Sequence, residues 1–213
     1  MRIEELIRLF GKQPCFELAS VIQLCGGCRE NARTQLYRWS KAGKILPLRR
    51  GMYAFGADYR KTEVNPAELA NLLYFPSYLS SSWALGFFGL IPEKVVVYTS
   101  ITSREPKTFR NAFGHFRYRH VKRDVFFGYR TVELGGRKVL LAEPEKALLD
   151  FWYLEEGDWV KNRLEEMRLQ NLELLSLGKL LEYAAKFKSP KLYRTAELYA
   201  EVYKSSEPGG VEL

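Results

Sequence analysis

The chain has 213 residues, 46% of them apolar and 27% charged, with a formal net charge of +8. Those proportions are ordinary for a soluble globular protein and allow one large domain or two small ones with real cores. No apolar run approaches bilayer-spanning length, so no membrane association is expected. Residues 1–5 (MRIEE) open an amphipathic helix and not a signal peptide. Three cysteines, an odd number, disfavour a disulfide framework and fit a reducing cytoplasm.

The charge is unevenly spread. Residues 1–60 carry eleven Lys/Arg against five Asp/Glu, whereas the remainder carries twenty-two against twenty. Within that near-neutral remainder, residues 104–130 hold eight cations against Glu105 and Asp124. Two basic segments on an otherwise balanced body point to a polyanion touched at two places.

Taken in chain order, Ile3, Leu6, Ile7 and Phe10 have helical spacing over residues 1–10, and Gly11 and Pro14 end that segment. Leu18, Val21, Ile22 and Cys25 repeat the spacing in a second helix that Gly26 and Gly27 terminate. A third helix is predicted over residues 29–42, stopping at Gly43. Ala32, Leu36 and Trp39 share its inner face. Asn31, Thr34, Gln35 and Arg38 share the outer one, a set that hydrogen-bonds base edges. Arg29, Arg33, Lys41 and Lys44 are placed for phosphates. Residues 45–48 and 52–55 read as two short strands around a tight turn carrying Arg49 and Arg50, suited to backbone or minor-groove contact. Helix, glycine turn, basic helix and basic hairpin together are the grammar of a winged helix-turn-helix.

Cys25-Gly26-Gly27-Cys28 has the spacing of a redox or zinc half-site. The other ligand candidates are only Cys15, His115 and His120, the histidines lie far along the chain, and a helix precedes the motif where a redox site needs a strand. No metal and no cofactor are therefore expected.

Residues 56–64 read as a polar boundary, dividing a DNA-binding domain (1–58) from an α+β domain (64–213). Beyond it, Asn65-Pro66 opens a helix, and a serine near residue 81 caps a short one. Residues 95–99 form a strand, and residues 107–111 with 114–120 form a hairpin. In that hairpin Phe116, Tyr118 and His120 lie on one side, Arg117 and Arg119 on the other. A second hairpin, 129–134 and 137–141, surrounds Gly135-Gly136. The sheet is expected to be antiparallel. After Glu143-Pro144 the chain is predicted helical to the end, broken near residues 156, 176 and 189, with a frayed tail at residues 208–210. Arg104, Lys107, Arg110, Arg117 and Arg119 are candidates for additional DNA contacts. Structural roles are expected for His115 and His120, and the core for most of the aromatic load of residues 83–153.

Several segments resemble the AbiEi-type antitoxins and their winged-helix relatives: ARTQLYRWSKAGKILPLRRGMYAF (32–55), SSSWALGFFGLIPE (80–93), YTSITSREPKTF (98–109), FRYRHV (116–121) and EPEKALLD (143–150). The family's short helix often reads A-L-x-x-H-G, and here Phe88 holds the histidine position. The resemblance implies a non-enzymatic, two-domain repressor of its own operon. It also implies a second domain that counteracts a nucleotidyltransferase toxin, with no stable complex required. Such a repressor binds double-stranded operator DNA, expected to be an inverted repeat occupied by a homodimer. Two alternatives stay open. One is an orphan winged-helix regulator without a toxin. The other is a metal-dependent nuclease-like second domain, on Glu133, Glu143, Glu145 and Lys146, although Glu145 and Lys146 are adjacent where that signature separates them by one residue.

Overall fold

The computed structural model describes residues 2–206, with side chains placed as far as residue 202. The expected fraying at residues 208–210 falls outside the described residues. The fold is α+β. Its first part runs α1 (Ile3–Phe10), β1 (Phe16–Glu17), α2 (Leu18–Leu24), α3 (Arg29–Lys41), β2 (Ile45–Arg49) and β3 (Met52–Phe55). The two-residue β1 escapes sequence reasoning because it has no room for alternation. It pairs antiparallel with β3 (Phe16 opposite Tyr53), making a three-stranded sheet in the order β1-β3-β2.

The second part runs α4 (Pro66–Leu73), β4 (Ser77–Leu79), α5 (Ser81–Phe87), β5 (Val97–Thr102), β6 (Lys107–Asn111), β7 (Gly114–His120), β8 (Tyr129–Leu134) and β9 (Arg137–Ala142). It then continues through α6 (Pro144–Leu154), α7 (Lys161–Glu166), α8 (Leu177–Lys186) and α9 (Pro190–Ser206). The six-stranded sheet has the order β6-β7-β5-β4-β9-β8. It is mixed, which corrects the antiparallel expectation: β5 runs parallel to β7, and β4 parallel to β9. The loop after β5 crosses the end of β7 to start the edge strand β6, and this topology makes the β5–β7 pair parallel. Strand β5 also starts two residues later than its β-branched run, because its partners are residues 115–120; Val96 is left outside it, largely exposed.

Helices cover both faces of this sheet. On β7, Tyr118 is opposite Ser100 and thus on the same side as Leu79, and its hydroxyl donates to the Ala70 carbonyl of α4 at 2.6 Å. On the other side Tyr78 and Ser80 both donate to Asp150 of α6. Ser80 is the N-cap residue of α5, but its hydroxyl does not cap the helix as expected; the buried carboxylate takes it. Lys146, one turn before Asp150, donates to that carboxylate and to the Tyr78 hydroxyl at 2.9 Å. Both charged side chains are fully buried. After α6, helical structure is less continuous than predicted, with only a 3-10 turn (Leu172–Leu174) between α7 and α8.

Two hydrophobic clusters form. The smaller unites Leu6, Phe16, Val21, Leu36, Trp39, Ile45 and Phe55. The larger fills the second part, yet it also takes Leu48, Met52 and Ala54 from the β2–β3 hairpin. One face of that hairpin thus closes the first core and the other face packs on the second part, where Asn111 donates to the Leu48 carbonyl at 3.3 Å.

Asp150→Ala strands a buried ammonium, and breaking such a pair costs about 3–5 kcal/mol, whereas replacing both partners with apolar residues of similar volume is close to neutral. Urea unfolding is expected to show that loss for Asp150→Ala, and only partial recovery in Lys146→Met combined with Asp150→Leu, because the buried Tyr78 and Ser80 hydroxyls lose their acceptor. A loss under about 1 kcal/mol for the single variant would show that the pair does not hold the fold.

Candidate nucleic-acid interface

Helix α3 has a clear division of faces. Ala32, Leu36 and Trp39 are buried in the smaller core, while Arg29, Glu30, Asn31, Arg33, Thr34, Tyr37, Arg38 and Lys41 are exposed. Gln35 sits on the flank, half-buried, so the outer face is centred nearer Thr34 and Lys41 than the grouping of Asn31, Thr34, Gln35 and Arg38 implies. Tyr37 is the residue that grouping misses. It is 65% exposed, with the Lys41 ammonium 5.7 Å from its ring centroid. Its position three residues after Thr34 and four before Lys41 was the available signal.

The helix ends on a Schellman motif. Lys44 donates its backbone N–H to Trp39 and Gly43 donates to Ser40, with Gly43 at φ +69°, where a side chain would be strained. Arg38 and Lys41 lie in the last turn, where the helix dipole favours cations. Lys44 is half-buried, its ammonium 5.6 Å from the Tyr59 ring.

The two arginines of the hairpin turn are not equivalent. Arg49 is half-buried, paired with Glu17 at 3.3 Å and donating to the Arg50 carbonyl at 3.3 Å. Arg50 is exposed and, among the described residues, has no carboxylate partner. A backbone phosphate would meet Arg50 first.

The second basic segment does not form one surface. Pairing of β6 with β7 puts Lys107 opposite Tyr118 and Phe109 opposite Phe116, on the α4 side of the sheet. Arg110 is opposite His115, and Arg117 and Arg119 follow His115 at alternate positions, on the α6 side. Burial, then the Arg110 and Arg117 charges, pull the His115 pKa below its ordinary value. Arg119 is half-buried and committed within the molecule: it donates to the Leu154 carbonyl at the end of α6 and pairs with Glu155 at 3.5 Å. Arg104, beyond the end of β5, lies 4.3 Å from the Tyr74 ring centroid and donates to the Phe75 carbonyl at 2.9 Å. On the α4 side, Arg104 and Lys107 share a cleft of about 540 Å³ with Arg49 and Arg50. The two basic stretches of the sequence meet there.

The residues weighed for other chemistry are dispersed. Cys15, Cys25 and Cys28 are free and half-buried, and burial pushes the Cys15 thiol up to about 11. Among the described residues no group of three or more His, Cys, Asp or Glu is placed to hold a metal ion. Glu133 is exposed on β8, Glu143 accepts from Tyr183 and pairs with Lys179, and Glu145 is buried and accepts from the Ser176 N–H. Glu143 and Glu145 meet at the Lys179 ammonium, at 3.2 and 3.4 Å, but Glu133 stands apart on β8 and the Lys146 amine is enclosed beside Asp150, so the four do not form one site. No helix of the described residues is long and apolar enough to cross a membrane. No known family model matches the chain, and no curated protein sequence matches it.

If the outer face of α3 has no part in folding, Thr34→Ala and Tyr37→Ala should each change stability by less than about 0.5 kcal/mol. Leu36→Ala on the inner face should cost about 2–5 kcal/mol. Urea midpoints of the three variants check this; a large loss at Thr34 would mean that the outer face supports the fold.

Proposed function

We propose that the protein is a sequence-specific DNA-binding transcription regulator of the AbiEi-like kind, acting by binding and not by catalysis in the cytoplasm. In this reading residues 1–58 are a winged helix-turn-helix. Helix α3 is the recognition helix, β2 and β3 are the wing, and residues 64–213 form the second domain. The observation that carries the reading is the outer face of α3. It presents Asn31, Thr34 and Arg38 flanked by Arg29, Arg33 and Lys41, with Glu30 its only carboxylate. A helix that merely faces solvent mixes both signs, whereas this set combines base-edge hydrogen bonding with phosphate neutralisation.

Two copies on an inverted repeat would place one α3 in each of two major-groove segments, with Arg50 against the flanking backbone. Arg104 and Lys107 lie on the Arg50 side of the second domain and would lengthen that backbone contact. Arg110 and Arg117, on the far face of the sheet, would touch only a duplex that bends round the molecule. The role as the counteracting half of a toxin pair rests on the resemblance of residues 80–150 to the antitoxin family. Co-expression with a neighbouring nucleotidyltransferase gene tests it: restored growth supports the role, and unrelieved toxicity removes it.

A mobility shift on the DNA upstream of the protein's own gene tests the regulator reading directly. Retardation is expected, weakening steeply with salt. Arg38→Ala should cost about 1–3 kcal/mol at particular base pairs and relax preference there. Arg50→Ala should weaken all sequences alike and lower the salt slope by about 1. Absence of retardation at low salt would remove the reading.

A further inference from the structure

The cleft between the hairpin turn and the sheet edge has a composition that backbone neutralisation alone does not require. Four cations (Arg49, Arg50, Arg104 and Lys107) face it against one carboxylate, Glu17. Two of the four are fixed in place by the protein. Arg49 is held by Glu17 and the Arg50 carbonyl, and Arg104 by the Tyr74 ring and the Phe75 carbonyl. The other two, Arg50 and Lys107, are exposed and, among the described residues, have no carboxylate partner, so they are free to turn toward a ligand.

Beside these cations lies an apolar wall. Phe75 is 69% exposed and Leu72 40% exposed, both lining the cleft next to Tyr74. An exposed phenylalanine on the rim of a cationic cleft has no packing role there. It offers a flat surface to a ring, which Tyr74 already does for the Arg104 guanidinium. The volume, about 540 Å³, falls in the range of small-molecule sites and exceeds what a lone phosphate needs. A second cleft of about 490 Å³ shares Tyr74 and Arg104 and leads on toward His120.

We propose that this cleft binds a small phosphorylated ligand with a planar ring, of the nucleoside diphosphate class. The phosphates lie among Arg50, Lys107 and Arg104, and the ring lies against Phe75. The walls come from both parts of the chain, the hairpin turn and β1 on one side and α4 with the β5–β6 edge on the other. The ligand therefore bridges the first part of the chain to the second. This assignment does not depend on the DNA reading, and it is tested in the absence of DNA.

Isothermal titration of the full chain at low ionic strength, with ADP, pyrophosphate and adenosine as separate probes, tests it. ADP is expected to bind more tightly than either of the others. Arg50→Ala or Lys107→Ala, both at exposed positions, should each weaken ADP by at least about tenfold, the loss of one charge-assisted hydrogen bond. Phe75→Ala should weaken ADP and leave pyrophosphate unchanged. No binding of ADP, pyrophosphate or adenosine binding as tightly as ADP, or ADP affinity unmoved by Arg50→Ala and Lys107→Ala would each overturn the proposal. Since these titrations contain no DNA, their failure leaves the mobility-shift result untouched, and the converse also holds.

Discussion

A single buried charge pair organises the larger part of this molecule. Lys146 and Asp150 are one helical turn apart on α6, and neither side chain reaches solvent. Burial alone pulls the lysine pKa down and the aspartate pKa up, and each partner's charge opposes the shift of the other. Tyr78 and Ser80, both from the segment where β4 ends, supply the other hydrogen bonds of the pair. The rings of Phe127, Phe187 and Tyr78 lie within 4.6–5.5 Å of the ammonium and supply the faces that a buried cation prefers. Even Gly128 belongs to this arrangement, since a Cβ there would come within 3.0 Å of the Lys146 side chain. Apolar contacts would accept several placements of a helix on a sheet. A buried pair held in four directed hydrogen bonds accepts one, because any slip leaves a charge unsatisfied.

That placement governs what the rest of the second part can do. With α6 set on one face, Arg119 meets the carbonyl end of the helix and is removed from the surface supply of cations. With α4 on the other face, Tyr118 bonds to Ala70 and Tyr74 packs edge-on to Tyr118 and Phe109. Tyr74 in turn supports Arg104. The position of the cationic cleft thus follows from core packing, through a chain of contacts that starts at a helix and ends at an exposed arginine.

The elements legible in the sequence are those whose signals are local. Helix α3 has three apolar residues at helical spacing and a glycine at its end, and the β6–β7 and β8–β9 hairpins have short turns between alternating segments. What escaped depends on distant partners. Strand β4 is three residues long with every side chain buried, so it shows no alternation, and its partners are residues 100–102 and 141. Ser80 has the look of a helix cap, yet it bonds to a carboxylate seventy residues away. Pairing direction is equally non-local, because nothing in β5 or β7 reveals that β6 lies outside both. The candidate recognition face was readable for the same reason as its helix. The cleft was not, because it exists only where the β2–β3 turn meets α4 and the β5–β6 edge.

Charge counts by segment illustrate the same limit. Eight cations within residues 104–130 suggest one basic ribbon, but a strand sends alternate residues to opposite sides, so the ribbon divides. Lys107 goes one way and Arg110 and Arg117 the other, while Arg119 is neutralised by Glu155 and a helix end. Meanwhile Arg50, more than fifty residues upstream, joins Arg104 and Lys107 because the hairpin that carries it packs against β6. The apolar residues responsible are Leu48, Met52 and Ala54, which point away from the first core and into the second. A hairpin that only closed the first core would need no such face. By burying it, the chain couples the loop carrying Arg50 to the sheet carrying Lys107, and the field at the cleft becomes a property of the junction between the two parts.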